Sequence, residues 1–335
     1  TCAFTLAFLL IFLPYTVFHE AISWMIQGVL WISRQSYGML TIGHVPFLWV
    51  LLFYFMTGLW IWKKNGQNRH IRISLAYVIM IILIWIPMAR RKSLAFLDVG
   101  QGDCFVADTK SGAIIFDGGS SSEDQVGRYR ILPYMKYLGY QKIQIAVISH
   151  MDIDHYSGIK ELLEMGKIKY LGLPEIPKDE TMKKIIGIAK KRGTTIFYLS
   201  RGRQITTKDG SLKVLHPQKN SQMEKNVASL VMQGKILGYR VLLTGDVEKE
   251  GEEELLSEEL ERADILKAAH HGSKNSTSNE FLQKVQPKQT VISCGKQNRY
   301  GHPHLETIHR LQTYRTKIYR TDRSGAIIFF KRRDG

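Results

Sequence analysis

"VISHMDIDHYSG", residues Val147–Gly158, sets an apolar run against a dense group of ligand-type side chains. Within six residues it holds His150, Asp152, Asp154 and His155. "QIAVISH" leading into it reads as a buried strand. "GIKELLEMG" following it reads as a helix, with Ile159, Leu162 and Leu163 at helical spacing. A strand end running into a helix holds side chains in fixed directions. Imidazoles and carboxylates gathered there are the donors that zinc or manganese takes.

The same pattern recurs along the chain. Polar groups close apolar strands at "DVGQGD" (Asp98–Asp103), "DGG" (Asp117–Gly119), "TGD" (Thr244–Asp246), "AHHGS" (Ala269–Ser273) and "YGHPH" (Tyr300–His304). Six such clusters at successive strand ends imply one shared rim. The intervening segments read mostly as strands, with helices such as "ETMKKIIGIAKKRG" and "LETIHRLQTY" between some of them. This argues for an α+β fold with two helix-covered sheets rather than a single parallel sheet. "EKEGEEELLSEELERA" reads as an acidic helix with a solvated face, and "KIYRTDRSGAIIFF" as a closing hairpin.

The 335 residues carry a net charge of +16, distributed over two unlike regions. Residues 1–92 hold eight Lys/Arg and one acid, leaving +9 for residues 93–335. "VPFLWVLLFYFMTGLWIW" (Val45–Trp62) and "ISLAYVIMIILIWIPM" (Ile73–Met88) are uncharged and of a length that suits a transmembrane helix. "CAFTLAFLLIFLPYTVF" (Cys2–Phe18) reads as the end of another span, and Trp60, Trp62 and Trp85 suit membrane interfaces. The chain opens on Thr1 inside an apolar run, which reads as the continuation of a longer protein. Basic residues flank the spans on both sides, so charge gives no orientation. The expected organisation is membrane-spanning helices over 1–92 and a folded domain over 93–335. The positive excess suits a polyanion such as nucleic acid, or a lipid surface. Cys2, Cys104 and Cys294 show no paired spacing and read as thiols.

Several residues admit two readings. Asp98 and Asp103 fit either turn organisers or site groups. His216 reads as a strand-end residue, and His302 and His304 equally as loop histidines. Tyr129, Tyr134, Tyr137 and Tyr140 lie among Arg128, Arg130, Lys136 and Lys142. Helical core packing is the expectation there, with stacking on single-stranded DNA as the rival.

"SHMDIDHYSG" resembles the H-x-H-x-D-H signature of the metallo-β-lactamase fold, and "LLTGD" resembles its bridging-aspartate motif. The succession "LDVGQGD", "FDGG", "SHMDIDH", "NVASLVM", "LLTGD", "LKAAHHGS" and "SCGKQNRYGHP" is similar to the C-terminal domain of ComEC-type competence proteins, the multi-pass membrane proteins of bacterial DNA uptake. The resemblance covers nearly all of residues 93–335. It implies an αββα sandwich with two divalent ions, Mn²⁺ or Zn²⁺, between the loop ends. His150 and Asp152 would hold the first ion and Asp154 and His155 the second. Asp246 would bridge them, and one of His270 and His271 would complete the second site. Asp152 and Asn226 stand where the wider fold has histidines, which favours Mn²⁺ or loosely held Zn²⁺ and leaves a single ion open. Asp154 would orient the attacking water. Lys267, His302 or the spare histidine would assist the leaving group, and Asn226, Ser229 and Ser273 would contact substrate. The implied activity is hydrolysis of one strand of incoming DNA at the outer face of the cell membrane, alongside other uptake proteins. The rivals are a metallo-hydrolase of a small phosphodiester and a catalytically decayed DNA-binding or gating module.

Overall fold

The computed structural model describes residues 43–62, 91–221, 227–257 and 260–332, with isolated positions between Glu20 and Val78. The chain divides into two compact units, Thr1–Thr41 and Ile42–Gly335. The second unit contains all that follows.

Alternation along the strands decides its architecture. In β1 (Ser93–Phe96), Leu94 and Phe96 face one core, while Ala95 faces another. A strand sends successive side chains to opposite faces, so a strand apolar at every position must be covered on both sides. The first sheet has the order β14-β1-β2-β3-β4-β5-β6. It comprises β2 (Phe105–Thr109), β3 (Gly112–Phe116), β4 (Ile143–Val147), β5 (Ile168–Pro174), β6 (Thr195–Leu199) and β14 (Ile327–Phe330) beside β1. The second runs β13-β12-β11-β10-β9-β8-β7. Its strands are β7 (Gln204–Thr207), β8 (Gly210–His216), β9 (Val231–Ile236), β10 (Tyr239–Leu243), β11 (Ile265–Lys267), β12 (Gln289–Ile292) and β13 (Lys317–Arg320). Each sheet is part antiparallel and part parallel, the parallel strands being β3–β6 and β10–β13.

Three apolar layers result. Phe96, Phe105 and Phe116 meet Val214, Met232, Leu243 and Val291 between the sheets. Outside the first sheet, α2 (Leu132–Tyr137), α3 (Ile153–Glu164) and α4 (Glu180–Lys191) contribute Met135, Ile159, Leu162, Met182 and Ile185. Outside the second, α5 (Lys249–Leu256), α6 (Asn279–Val285) and α7 (Leu305–Thr313) contribute Leu255, Phe281, Val285 and Leu311. The order of layers is αββα.

Local expectations are corrected in places. Lys317–Phe330 is not a hairpin: β13 closes the second sheet, α8 (Thr321–Ser324) turns the chain, and β14 pairs antiparallel with β1 in the first. The acidic helix α5 is not wholly solvated. Glu252 is buried and accepts the Thr277 and Ser278 amides, capping the start of α6. Tyr134 and Tyr140 pack against the core, whereas Tyr129 and Tyr137 are exposed. Cys104 and Cys294 are buried and unbridged. Of the apolar N-terminal stretches, Phe47–Trp62 forms helix α1, with Phe47, Leu48 and Phe55 exposed. Among the described residues no helix is long and apolar enough to cross a membrane. Cys2–Phe18 and most of Ile73–Met88 lie outside the described residues.

Phe96 packs 5.0 Å from the Phe105 ring and 6.2 Å from that of Phe329. Its truncation to alanine leaves a cavity between the sheets and is expected to cost about 3–5 kcal/mol. Denaturant unfolding followed by circular dichroism measures this.

Candidate metal centre

Three loops interlock at the carboxyl ends of the strands. The Asp103 amide donates to Asp154 O at 3.0 Å, and the Gly119 amide to Asp103 O at 3.1 Å. The Gly118 amide donates to His155 O, and Ile159 N to Gly118 O. Gly119 packs so closely that a Cβ there would meet the backbone of Ile153 and His155. The glycines of "DGG" therefore let the start of α3 lie against the loops after β1 and β3. Asp98 takes the turn role, accepting the Gly100 amide at 3.1 Å. Asp103, on the same loop, does not: it is buried and turned into the site.

The second sheet supplies the other side. Ile265 faces the layer between the sheets, so Lys267, two residues on, projects the same way. After β11 the chain makes one tight turn in which His270 and His271 both have positive φ, 47° and 53°. Such conformations cost about 1–3 kcal/mol each in non-glycine residues and concentrate at functional sites. Their effect is to separate the pair: His271 is buried, while His270 stays partly exposed.

Asp103, His155, Asp246 and His271 each offer one ligand atom, and these atoms lie within 4.8 Å of one another. Asp246 Oδ2 is 3.2 Å from His155 Nε2 and 3.3 Å from His271 Nε2. Asp154 Oδ2 is 3.4 Å from His271 Nε2. His150 lies beside this group, its ring 4.1 Å from that of His155 and its Nε2 3.6 Å from Asp152 Oδ2.

The imidazoles test whether a metal fits. Nε2 of His150, His155 and His271 is buried yet makes no aligned hydrogen bond. Each Nδ1 is held from behind: His155 by Asp117 at 3.0 Å, His271 by Ser293 O at 2.9 Å, and His150 by the Ser149 and Ser229 hydroxyls at 3.0 Å. A ring anchored at one nitrogen, with the other aimed at a common point among carboxylates, is how proteins present histidine to a divalent ion. The residues fit the group.

Electrostatics agree. Burial disfavours charge on His271, but Asp246, Asp103 and Asp154 outweigh it and raise its pKa to about 10. Burial likewise opposes charge on His155, and Asp246 and Asp117 hold it well above the usual histidine range. For Asp154, burial is outweighed by the neighbouring imidazoles of His271 and His155, giving about 2. Asp246 is held far down by His155, His271 and Lys267 despite burial. Burial, then the charges of His271 and His270, lower His302 to about 4.

The structure brings together His150, Asp152, Asp154, His155, Asp246 and His271, which the motifs had singled out. His270 lies at the edge, 3.7 Å from Asp246 and 3.0 Å from Glu248. Lys267 is buried, ion-paired to Asp103, 3.5 Å from Asp246 and donating to Gly245 O at 2.9 Å. It balances carboxylate charge within the cluster. His302 stands beside His270 and His271, with ring centroids 5.6 and 6.2 Å away. Ser229 supports the centre, donating to or accepting from His150 Nδ1 and accepting the Asp246 amide. Ser273 is buried, and its carbonyl accepts from Ser276 and Thr307. Asn226 lies outside the described residues. His216 is a buried strand-end residue bonded to Ser229 O. Sequence reasoning left Asp103 undecided and gave Asp117 no role. The signal for Asp117 was an acid closing an apolar strand beside glycine, and for Asp103 an acid beside glycine just ahead of an apolar strand.

Residues 97–296 match the metallo-beta-lactamase superfamily, and the chain belongs to it. It is 34% identical over 294 residues to ComE operon protein 3 of Bacillus subtilis, covering 82% of this chain and 38% of that protein. It is 30% identical to Competence protein ComA of Neisseria gonorrhoeae (71% of this chain, 32% of that one) and 27% identical to Recombination protein 2 of Haemophilus influenzae (79% and 32%). These relatives bear out the resemblance to ComEC-type competence proteins. The chain spans about a third of the length of these relatives.

Two outcomes follow from this geometry. Asp117→Ala removes the support behind His155 and is expected to weaken divalent-ion affinity about 10–100-fold, read by calorimetry. A histidine whose pKa is raised by folding stabilises the metal-free protein fully below about 6.5. For His271 that contribution declines as pH rises towards about 10. Ion binding at neutral pH must therefore release protons, and the calorimetric enthalpy should vary with the ionisation enthalpy of the buffer.

Proposed function

We propose that residues 93–335 are a metal-dependent phosphodiesterase acting on DNA, joined through a membrane-spanning region over 1–92 to a bacterial DNA-uptake assembly. It would hydrolyse one strand while the other is passed inward, with the domain on the extracytoplasmic face. One observation carries this: buried imidazole nitrogens without hydrogen bonds, aimed into a group of carboxylates at the ends of two sheets. Similarity to a protein named for competence supports DNA as the substrate class, and the net +9 of residues 93–335 suits a polyanion.

Asp103, His155, Asp246 and His271 would hold a divalent ion, with His150, Asp152 and Asp154 placed for a second. Bound ions of this kind, manganese or zinc, supply a nucleophilic hydroxide at neutral pH and polarise a phosphoryl oxygen. The protein's own groups do the rest. Asp154, ionised at any physiological pH, accepts a hydrogen bond from the attacking water and fixes its direction. Lys267 offsets the carboxylates without competing for substrate. His302 is neutral at pH 7 and suits donation of a hydrogen bond to the departing oxygen rather than transfer of a proton. The hydroxyl of Ser229 keeps His150 and Asp246 in register.

The test uses the full chain with labelled single- and double-stranded DNA in Mn²⁺, Zn²⁺ or chelator. Metal-dependent cleavage is expected, lost with chelator and reduced about 10²-fold or more in Asp246→Ala. If wild type and Asp246→Ala bind DNA equally and neither cleaves it, the domain is a binding module. Cleavage of bis(p-nitrophenyl) phosphate but not of DNA would favour a small-diester hydrolase.

A further inference from the structure

Beside the metal centre, the loop between β12 and α7 carries Arg299, Tyr300 and His302 as a ladder of planar groups. The Arg299 guanidinium lies over the Tyr300 ring, 4.9 Å from its centroid, and donates to the Tyr300 hydroxyl at 2.7 Å. Tyr300 stacks on His302 at 5.7 Å with the planes 21° apart, and His302 lies 6.2 Å from His271 at 30°. The ladder thus runs from solvent to an imidazole of the centre.

The loop is pinned by more bonds than a surface turn needs. Asn298 Nδ2 donates to Gly295 O and His302 O, and Asn298 Oδ1 accepts the His302 amide. The Gly295 amide donates to Gln101 Oε1 on the loop that carries Asp103, and His304 N to Gly272 O beside His271. The ladder is therefore fixed relative to the centre from both sheets. Arg299 is exposed, feels the charge of Asp154, and forms no ion pair among the described residues. A guanidinium without a carboxylate partner, at the mouth of an anionic site, is free to take an anion from solution. Lys274 and Lys296, also exposed, lie on the two loops that the pinning bonds join.

We propose that Arg299 and Tyr300 form a nucleotide subsite next to the scissile phosphate. Arg299 grips a neighbouring phosphate of the strand with its forked donors. The guanidinium and the Tyr300 ring, stiffened by His302, together offer a flat surface on which an unpaired base stacks. Both modes are sequence-tolerant and require the base to be out of a duplex. The enzyme would accordingly prefer single-stranded or frayed DNA. This inference rests on the DNA reading above.

Arg299→Ala, Tyr300→Ala and Tyr300→Phe are compared with the wild-type full chain on a single-stranded oligodeoxynucleotide, a blunt duplex and bis(p-nitrophenyl) phosphate. The two alanine variants are expected to lose at least tenfold more kcat/KM on the oligonucleotide than on the small diester. Tyr300→Phe, which keeps the ring, should recover most of the loss. Equal losses on both substrates, or none, overturn the subsite. Oligonucleotide binding in chelator, read by fluorescence anisotropy, separates the two ideas. If the wild type cleaves nothing and the alanine variants still bind at least tenfold more weakly, the hydrolase reading falls and the subsite stands. Unchanged binding and unchanged substrate preference sink it.

Discussion

Everything in this domain is arranged around negative charge held in a place where water cannot compensate it. Asp103, Asp117, Asp154 and Asp246 lie within one small region, and all but Asp154 are nearly inaccessible. Carboxylates so placed need cations, and the chain supplies only part of what is required. Lys267 neutralises Asp103, while His155 and His271 can carry charge only by holding protons they would otherwise release. A divalent ion removes that conflict, because imidazole then binds it in neutral form. Stability and metal affinity are two aspects of one electrostatic condition.

Such a cluster survives only if nothing around it can relax. The two sheets provide the rigidity, each with apolar layers on both faces. The loops at their carboxyl ends are tied to one another by backbone bonds rather than by side chains alone. Asp103 N to Asp154 O, Gly119 N to Asp103 O and Gly118 N to His155 O make three loops move as one body. Gly119 allows that approach, since a Cβ there would strike the backbone of Ile153–His155, while one at Gly118 would press on the Ile131 and Ile159 side chains. Each imidazole is then turned by a group behind it, so its free nitrogen can face only inward.

The sign of charge changes over a short distance. The floor of the site is anionic, whereas exposed Arg299 stands at the outer end of the Tyr300–His302 stack, and exposed Lys274 and Lys296 lie on the loops that carry His271 and His302. On the proposed reading, an anionic ligand would meet this positive charge before the carboxylate floor.

Much of this was written in the order of residues. Short continuous apolar runs specified strands buried on both faces, and the polar clusters beside them marked the rim. His150, Asp152, Asp154 and His155 were legible because α3 begins among them and local geometry keeps them together. What the linear chain left open concerned groups distant in sequence. Asp103 and Lys267 meet across the two sheets, so no local pattern links them. His271 rather than His270 turns inward because two consecutive residues adopt positive φ, which spacing does not reveal. Glu252 looked solvated, and only the docking of α5 against α6 buries it as a cap. β13 and β14 looked like one hairpin, yet each is an edge strand of a different sheet. Local periodicity is a property of neighbours along the backbone, and it determined the elements and the ligand types. Which donors share a point depends on how two sheets pack face to face, and only the tertiary structure decided that.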